Sequence, residues 1–131
     1  MLKKSPSGSL CPYYYMDGEL HPLKYGSYFN DKDKLFAIMK AEEEFILKSS
    51  GQNNRRIWID LYETTLDNQV IENLVLHIKT IRSKIYKLCL VGCSFLNKRK
   101  IKKLMMANNM DIVEQIRFFS DPEEAKKWLV C

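Results

Sequence analysis

The stretch Arg55–Ile81, RRIWIDLYETTLDNQVIENLVLHIKTI, limits what this chain can fold into more than any other. It opens on a short apolar run, Ile57, Trp58, Ile59 and Leu61, broken only by Asp60. A half-buried strand alternates apolar and polar residues, whereas a run without alternation suits a strand covered on both faces. The chain then turns through a polar corner, Tyr62–Asp67, into a helix whose residues Val70, Ile71, Leu74, Val75, Ile78 and Ile81 share one face. A buried strand feeding an amphipathic helix is half of a crossover unit, and the unit recurs twice more before the chain ends. In a sheet of this kind the corner lies outside the carboxyl end of a strand, where sites tend to form.

The chain is long enough for one core: 131 residues with 46% hydrophobic and 28% charged content fit a single globular domain. Residues 1–10 read as a flexible leader and residues 11–131 as the domain. The basic start MLKK lacks the apolar region of a signal peptide, and no run approaches a membrane span. A cytoplasmic protein is expected. Cys11, Cys89, Cys93 and Cys131 are widely spread without a CxxC pair, which points to reduced thiols rather than a disulfide framework.

Ahead of the organising stretch, Tyr13–Tyr15, the turn signal Asp17-Gly18 and the segment Glu19–Phe29 read as an irregular hairpin. Pro22 confines its strand to an edge or a bulge. Asn30 and Asp31 offer cap oxygens to a helix that buries Leu35, Ile38, Met39, Phe45 and Ile46 and leaves Lys40, Glu42, Glu43, Glu44 and Lys48 wet. Residues 49–54 make a polar loop. In the organising stretch, Thr64, Thr65 or Asp67 can cap the helix, and Thr64-x-x-Asp67 approximates a capping box. Beyond it, LCLVG is a second buried strand, Phe95–Asn108 a helix with Ile101, Leu104 and Met105 inward, and QIRFF a third strand. Asp121-Pro122-Glu123-Glu124 starts the last helix, with Asp121 as cap and Pro122 as its first residue. The order β-β-α-β-α-β-α-β-α predicts an α/β fold: an N-terminal hairpin, then alternating helices and parallel strands, about five strands and four helices in a mixed sheet.

The segments RRIWIDLYE, KLCLVG and IRFFSDPEEAKKWL resemble the STAS domain family (sulphate transporter and anti-sigma-factor antagonist), in particular its stand-alone bacterial, anti-sigma-factor-antagonist-like branch. The likeness covers roughly residues 31–130. It implies a STAS-like fold and a non-enzymatic regulatory module that works through protein–protein contact, with a homodimer as one arrangement. Partners of signalling STAS proteins dock on the corner and the following helix, here Tyr62–Asp67 and Asn68–Glu72. Signalling members carry an Asp-Ser-Ser/Thr-Gly motif at the corner. This chain has Glu63-Thr64-Thr65-Leu66-Asp67-Asn68 instead, with neither serine nor glycine. Glu63 and Asp67 would repel a phosphate there, so both threonines read as caps.

Other constellations compete with ordinary structural roles. Cys93 to Arg99 has the C-x5-R spacing of a cysteine phosphatase loop, in which a thiolate attacks phosphorus. The intervening segment lacks glycine and places Phe95 and Leu96 where phosphate must enter, so a Cys93 enzyme is the weaker alternative. A small anionic ligand, a nucleotide or lipid, held by Thr64, Thr65, Cys93, Ser94 and Lys98 is the other. Cys89 and His77 read as core residues, and no metal, cofactor or catalytic set is expected. The run Asn97–Lys103 reads as the wet side of an amphipathic helix, so neither nucleic acid nor a membrane is the expected partner. The candidate contact residues are Tyr62, Glu63, Thr64, Thr65, Asp67, Asn68, Cys93 and Ser94.

Overall fold

The computed structural model describes residues 3–11, 13–16, 18–48, 55–110 and 115–131. A two-stranded ribbon, β1 (Lys3–Lys4) with β2 (Leu10–Cys11), precedes the main sheet. That sheet holds β3 (Tyr13–Tyr15), β4 (Gly18–Lys24), β5 (Arg55–Asp60), β6 (Ile85–Val91) and β7 (Ile116–Phe119), side by side in chain order. β3 and β4 pair antiparallel, and β4 through β7 are parallel. The linking helices are α1 (Lys32–Lys48), α2 (Asn68–Ile81) and α3 (Phe95–Ala107), and α4 (Pro122–Val130) follows β7. The expected α/β fold, a hairpin followed by alternating helices and parallel strands, is therefore what the chain forms. The turn at Asp17 and the loop 49–54 lie outside the described residues.

Each crossover steps one strand further in the same direction, so α1, α2 and α3 share one face of the sheet. The burial divides accordingly. Ile57, Ile59, Leu88 and Leu90 meet Leu35, Met39, Leu74, Ile78, Ile101 and Met105 in the larger core. Their strand neighbours point the other way, where Cys89, Val91 and the partly buried Trp58 meet Ala125 and Leu129 of α4. This explains why β5 shows no polar alternation: both its faces are roofed. Tyr13 and Tyr15 also pack on the α4 side, while Tyr14 faces solvent. Asp121 caps α4 by accepting from Glu123 N at 3.0 Å, with Pro122 at the helix start, as its sequence requires.

Pro22 sits where β4 has outrun β3, whose pairing ends at Leu20. The missing N–H therefore costs the β3–β4 pairing nothing. Serines of the N-terminal segment cover this stretch of edge instead: Ser9 Oγ donates to Pro22 O at 2.7 Å, and Lys24 N donates to Ser7 Oγ at 3.1 Å. The segment read as a flexible leader thus has a place in the fold, and both Ser5 and Ser9 are buried.

Glu42 anchors that segment. It was expected on the wet face of α1, but it is fully buried. Its carboxylate accepts from Ser5 Oγ and Ser7 N, each at 2.9 Å, and from Ser7 Oγ. Its other oxygen lies 3.4 Å from His21 Nε2. Arg55 Nη1 approaches His21 Nδ1 at 3.0 Å. A guanidinium can only donate, so Nδ1 accepts and the imidazole proton sits on Nε2, facing Glu42. A buried acid and a buried base are thereby joined through an imidazole, which relieves the cost of placing either in the interior. Burial by itself would raise the Glu42 carboxyl, but bonds from His21 and Ser7 outweigh it and hold the group below its ordinary value.

A depressed carboxyl contributes stability that is fully present above its unfolded value, about pH 4.3, and is lost as pH falls through the folded value. Glu42→Gln should therefore cost about 2–4 kcal/mol at pH 7. It should also make the acid side of the stability–pH curve shallower, as read by urea unfolding between pH 7 and pH 3. A parallel shift of the whole curve would remove Glu42 from the acid transition.

Candidate functional site

The corner Tyr62–Asp67 is built from β5 outward. Parallel pairing of β4 with β5 continues past the ends of both strands. Tyr25 N donates to Asp60 O (3.0 Å), Ser27 N to Tyr62 O (2.6 Å), Phe29 N to Glu63 O (2.9 Å) and Thr65 N to Phe29 O (2.8 Å). Phe29 and Thr64 form a parallel bridge at its far end. On the other side Leu61 N donates to Val91 O at 3.0 Å. The corner is thus an irregular extension of the sheet rather than a hanging loop.

Two glycines let the chains approach this closely. A Cβ on Gly26 would lie 2.7 Å from Tyr62 O, and one on Gly92 would lie 2.7 Å from Tyr62 N. Gly92 also has φ +91°, which a residue with a side chain adopts at a cost. The Leu61–Tyr62 backbone therefore passes between Gly26 and Gly92. Three side-chain-bearing residues around it, Ser27, Phe29 and Glu63, take φ of +64°, +52° and +58°. Such conformations persist where surrounding bonds impose them.

Thr64 does not cap α2, contrary to the expectation. Its Oγ donates to Tyr25 O at 2.7 Å and accepts from Tyr28 N at 3.1 Å, bolting the corner to the β4–α1 connection. Thr65 does not cap either; it is exposed and contributes its backbone N–H to Phe29. The cap is Asp67, whose Oδ1 accepts from Val70 N at 2.9 Å. Lys32 from α1 pairs with Asp67 and donates to Gln69 Oε1 at 3.1 Å. The ammonium beside it, aided by the bond from Val70, holds the Asp67 carboxyl below its usual range. Geometry explains the change of roles: the ladder draws Thr64 sideways toward β4, leaving the first free oxygen of the helix to Asp67. Because the Thr64 hydroxyl is engaged on both sides, a phosphoryl group there would have to break the bolt.

Outward from this frame stand Tyr62, Glu63, Thr65 and Asn68, all exposed. Tyr62 Oη donates to Ser120 O at 2.7 Å, so its ring reaches toward the end of β7, and it keeps 39% of its surface in solvent. Ser27 Oγ donates to Glu63 Oε1 at 3.0 Å. Phe29, absent from the sequence-derived candidates, is 59% exposed beside them. It borders an open hollow of about 660 Å³ lined by Ser27, Tyr28, Asn30, Asp31 and Lys34. No periodicity marks Phe29; what places it here is pairing with Glu63 and Thr64, distant in sequence.

Cys93 and Ser94 belong to the neighbouring connection. Ser94 caps α3, its Oγ accepting from Asn97 N at 3.2 Å. Burial pushes the Cys93 thiol up to about 11, so at neutral pH it is protonated rather than the thiolate a phosphatase loop requires. Arg99 lies over the Phe95 ring at 5.9 Å, and Lys98 over the Phe118 ring at 5.8 Å. Cys89 is wholly buried, and burial raises its thiol as well. Among the described residues, no group of three or more His, Cys, Asp or Glu is placed to hold a metal ion.

A second histidine network lies beneath the corner. Tyr25 Oη donates to His77 Nε2 at 2.6 Å, and His77 Nδ1 donates to Glu43 Oε2 at 2.8 Å. The carboxylate can only accept, which fixes this tautomer. Such a chain resembles an acid–base triad, but Tyr25 and His77 are buried, so it serves as a strut joining β4, α1 and α2. Burial, with Glu42 and Glu43 nearby, raises the Tyr25 phenol well above its ordinary value. His77 is the core residue its helical position suggested.

Scanned against protein-family models, and compared with curated proteins and with solved structures, the chain matches none of them.

Thr64→Val should cost about 1–3 kcal/mol by leaving the Tyr28 N–H without its acceptor, whereas Thr65→Val should stay within about 0.5 kcal/mol. Equal costs in urea unfolding would deny Thr64 its bolting role. The glycines allow a second comparison. Gly92→Ala should cost roughly 2–3 kcal/mol, combining positive φ with overlap against the corner backbone. Gly8→Ala, at φ +97° with nothing within 4 Å of its Cβ, should cost about 1 kcal/mol for the backbone conformation alone. Thermal melts giving G92A no larger a loss than G8A would refute the close-approach account.

Proposed function

We propose that this protein is a non-enzymatic, STAS-like interaction module that engages a protein partner through the corner Tyr62–Asp67, the start of α2 and Phe29. One observation carries the reading. The corner's backbone is held by a ladder on one side and a glycine contact on the other, yet its Tyr62, Glu63 and Thr65 side chains are exposed. A surface held in its bound geometry beforehand loses little freedom on association. Phe29 and Tyr62 supply the aromatic anchors on which such interfaces depend. Glu63 and Asn68 supply a polar rim. The strand order supports a contact surface over a ligand crevice. Crevices in open parallel sheets form where the strand order reverses, and β4 to β7 advance without reversal.

The STAS resemblance places partner contact at the same corner. The absence of the motif's serine and glycine from Glu63–Asn68, with the Thr64 hydroxyl engaged internally, favours constitutive over phosphorylation-controlled binding. Affinity purification of the tagged chain from its own cells tests this. A partner retained by the wild-type protein should lose at least about tenfold in affinity with the pair Phe29→Ser and Tyr62→Ala. It should be retained by Leu47→Ser, an exposed change at the far end of α1. Identical capture by all three proteins would place the interaction elsewhere.

A further inference from the structure

The second surface that stands out is the outer side of α3, whose sequence is FLNKRKIKKLMMA. Its inner side is accounted for: Ile101 and Met105 are fully buried, and Leu104 packs on the same core. Lys98 and Lys102 lean back over the ring of Phe118, at 5.8 and 5.7 Å. Phe95, Leu96, Arg99, Lys100, Lys103 and Met106 remain on the outside. Helical spacing aligns Leu96, Arg99, Lys103 and Met106 along one stripe, about 15 Å from end to end.

The sequence suggested a solvated face, and a solvated face accounts for the cations. It does not account for Phe95, Leu96 and Met106, which keep 71%, 66% and 70% of their surface in water. The apolar residues sit at the two ends of the stripe and the cations between them. Five Lys and Arg side chains lie on this one helix with no Asp or Glu. Among the described residues, Glu72 of α2 lines a groove of about 320 Å³ together with Lys100 and Lys103. An acidic protein helix laid in that groove would face Glu72 as well as the lysines. A nucleic acid would use the cations and leave the apolar ends wet. An anionic bilayer presents phosphates to the cations and hydrocarbon a few ångströms deeper to the apolar ends, and its flat surface suits the convex side of a helix.

We propose that α3 is a membrane-surface helix that seats the domain on anionic lipid. Phe95 and Leu96 insert at one end and Met106 at the other, while Arg99, Lys100 and Lys103 lie among the headgroups. Among the described residues no helix is long and apolar enough to cross a membrane, so the contact is peripheral. It uses residues outside the corner and stands independently of the protein-partner reading.

Co-sedimentation of the full chain with vesicles tests it, using pure phosphatidylcholine against an equal mixture of phosphatidylcholine and phosphatidylglycerol. The chain should bind the anionic vesicles, and binding should weaken as salt is raised from about 0.05 to 0.5 M. The pair Lys100→Glu and Lys103→Glu should weaken partitioning by at least about tenfold. The pair Phe95→Ser and Leu96→Ser should do the same. All four residues are on the outer side, and circular dichroism should show both variants folded. Leu96→Trp should blue-shift its fluorescence on anionic vesicles. Failure to bind anionic vesicles would overturn the proposal. So would binding that survives the Phe95 and Leu96 changes, or tighter binding to a single-stranded oligonucleotide than to the vesicles.

Discussion

The backbone ladder between residues 25–29 and 60–65 is the constraint on which the rest of the candidate site depends. Regular β4 and β5 end at Lys24 and Asp60, yet hydrogen bonding continues through Ser27, Phe29 and Thr65. This extension fixes where α1 and α2 begin, because both helices leave directly from it. It also brings Lys32 of α1 to the Asp67 cap of α2, so the two helix starts are joined by an ion pair. Gly26 and Gly92 permit the ladder, since a side chain at either would occupy the space of Tyr62 backbone atoms. Positive φ at Ser27, Phe29 and Glu63 is the conformational cost of following it.

The opposite margin of β4 obeys the same logic with different chemistry. There the antiparallel pairing with β3 ends at Leu20, and serine hydroxyls from the N-terminal segment bond to the strand beyond it. That segment is held by Glu42, and Glu42 by His21 and Arg55. The second network, Tyr25, His77 and Glu43, ties the same strand to both neighbouring helices. β4 is thus secured by buried polar contacts on one flank and by its ladder on the other. A strand secured on both flanks makes a stable base for the exposed corner above it.

The alternation of buried runs and amphipathic stripes made the strands and helices legible, because each period reports which face is covered. Asp121-Pro122 located the last helix to the residue. Ser94 could be recognised as polar and near a helix start, but its capping role needed the backbone. Glu42 and Thr64 were misplaced for a shared reason. Both were assigned from their own helix or turn, while their partners, Ser5, Ser7 and His21 for one and Tyr25 and Tyr28 for the other, lie some 20 to 40 residues away. A glutamate in a helix reads as wet and a threonine before a helix reads as a cap until tertiary pairing supplies a stronger bond. Phe29 and the outer side of α3 belong to the same class, since exposure is a property of the folded surface and not of spacing.

Backbone amide hydrogen exchange, followed residue by residue under native conditions, tests the central claim that the corner is a continuation of the sheet. The amides of Ser27, Phe29 and Thr65 should exchange with opening free energies close to those of Ile57 and Ile59 inside β5. Their protection should collapse together in Gly92→Ala. Exchange of these three amides at the rate of an open surface loop, with Ile57 and Ile59 still protected, would contradict the account.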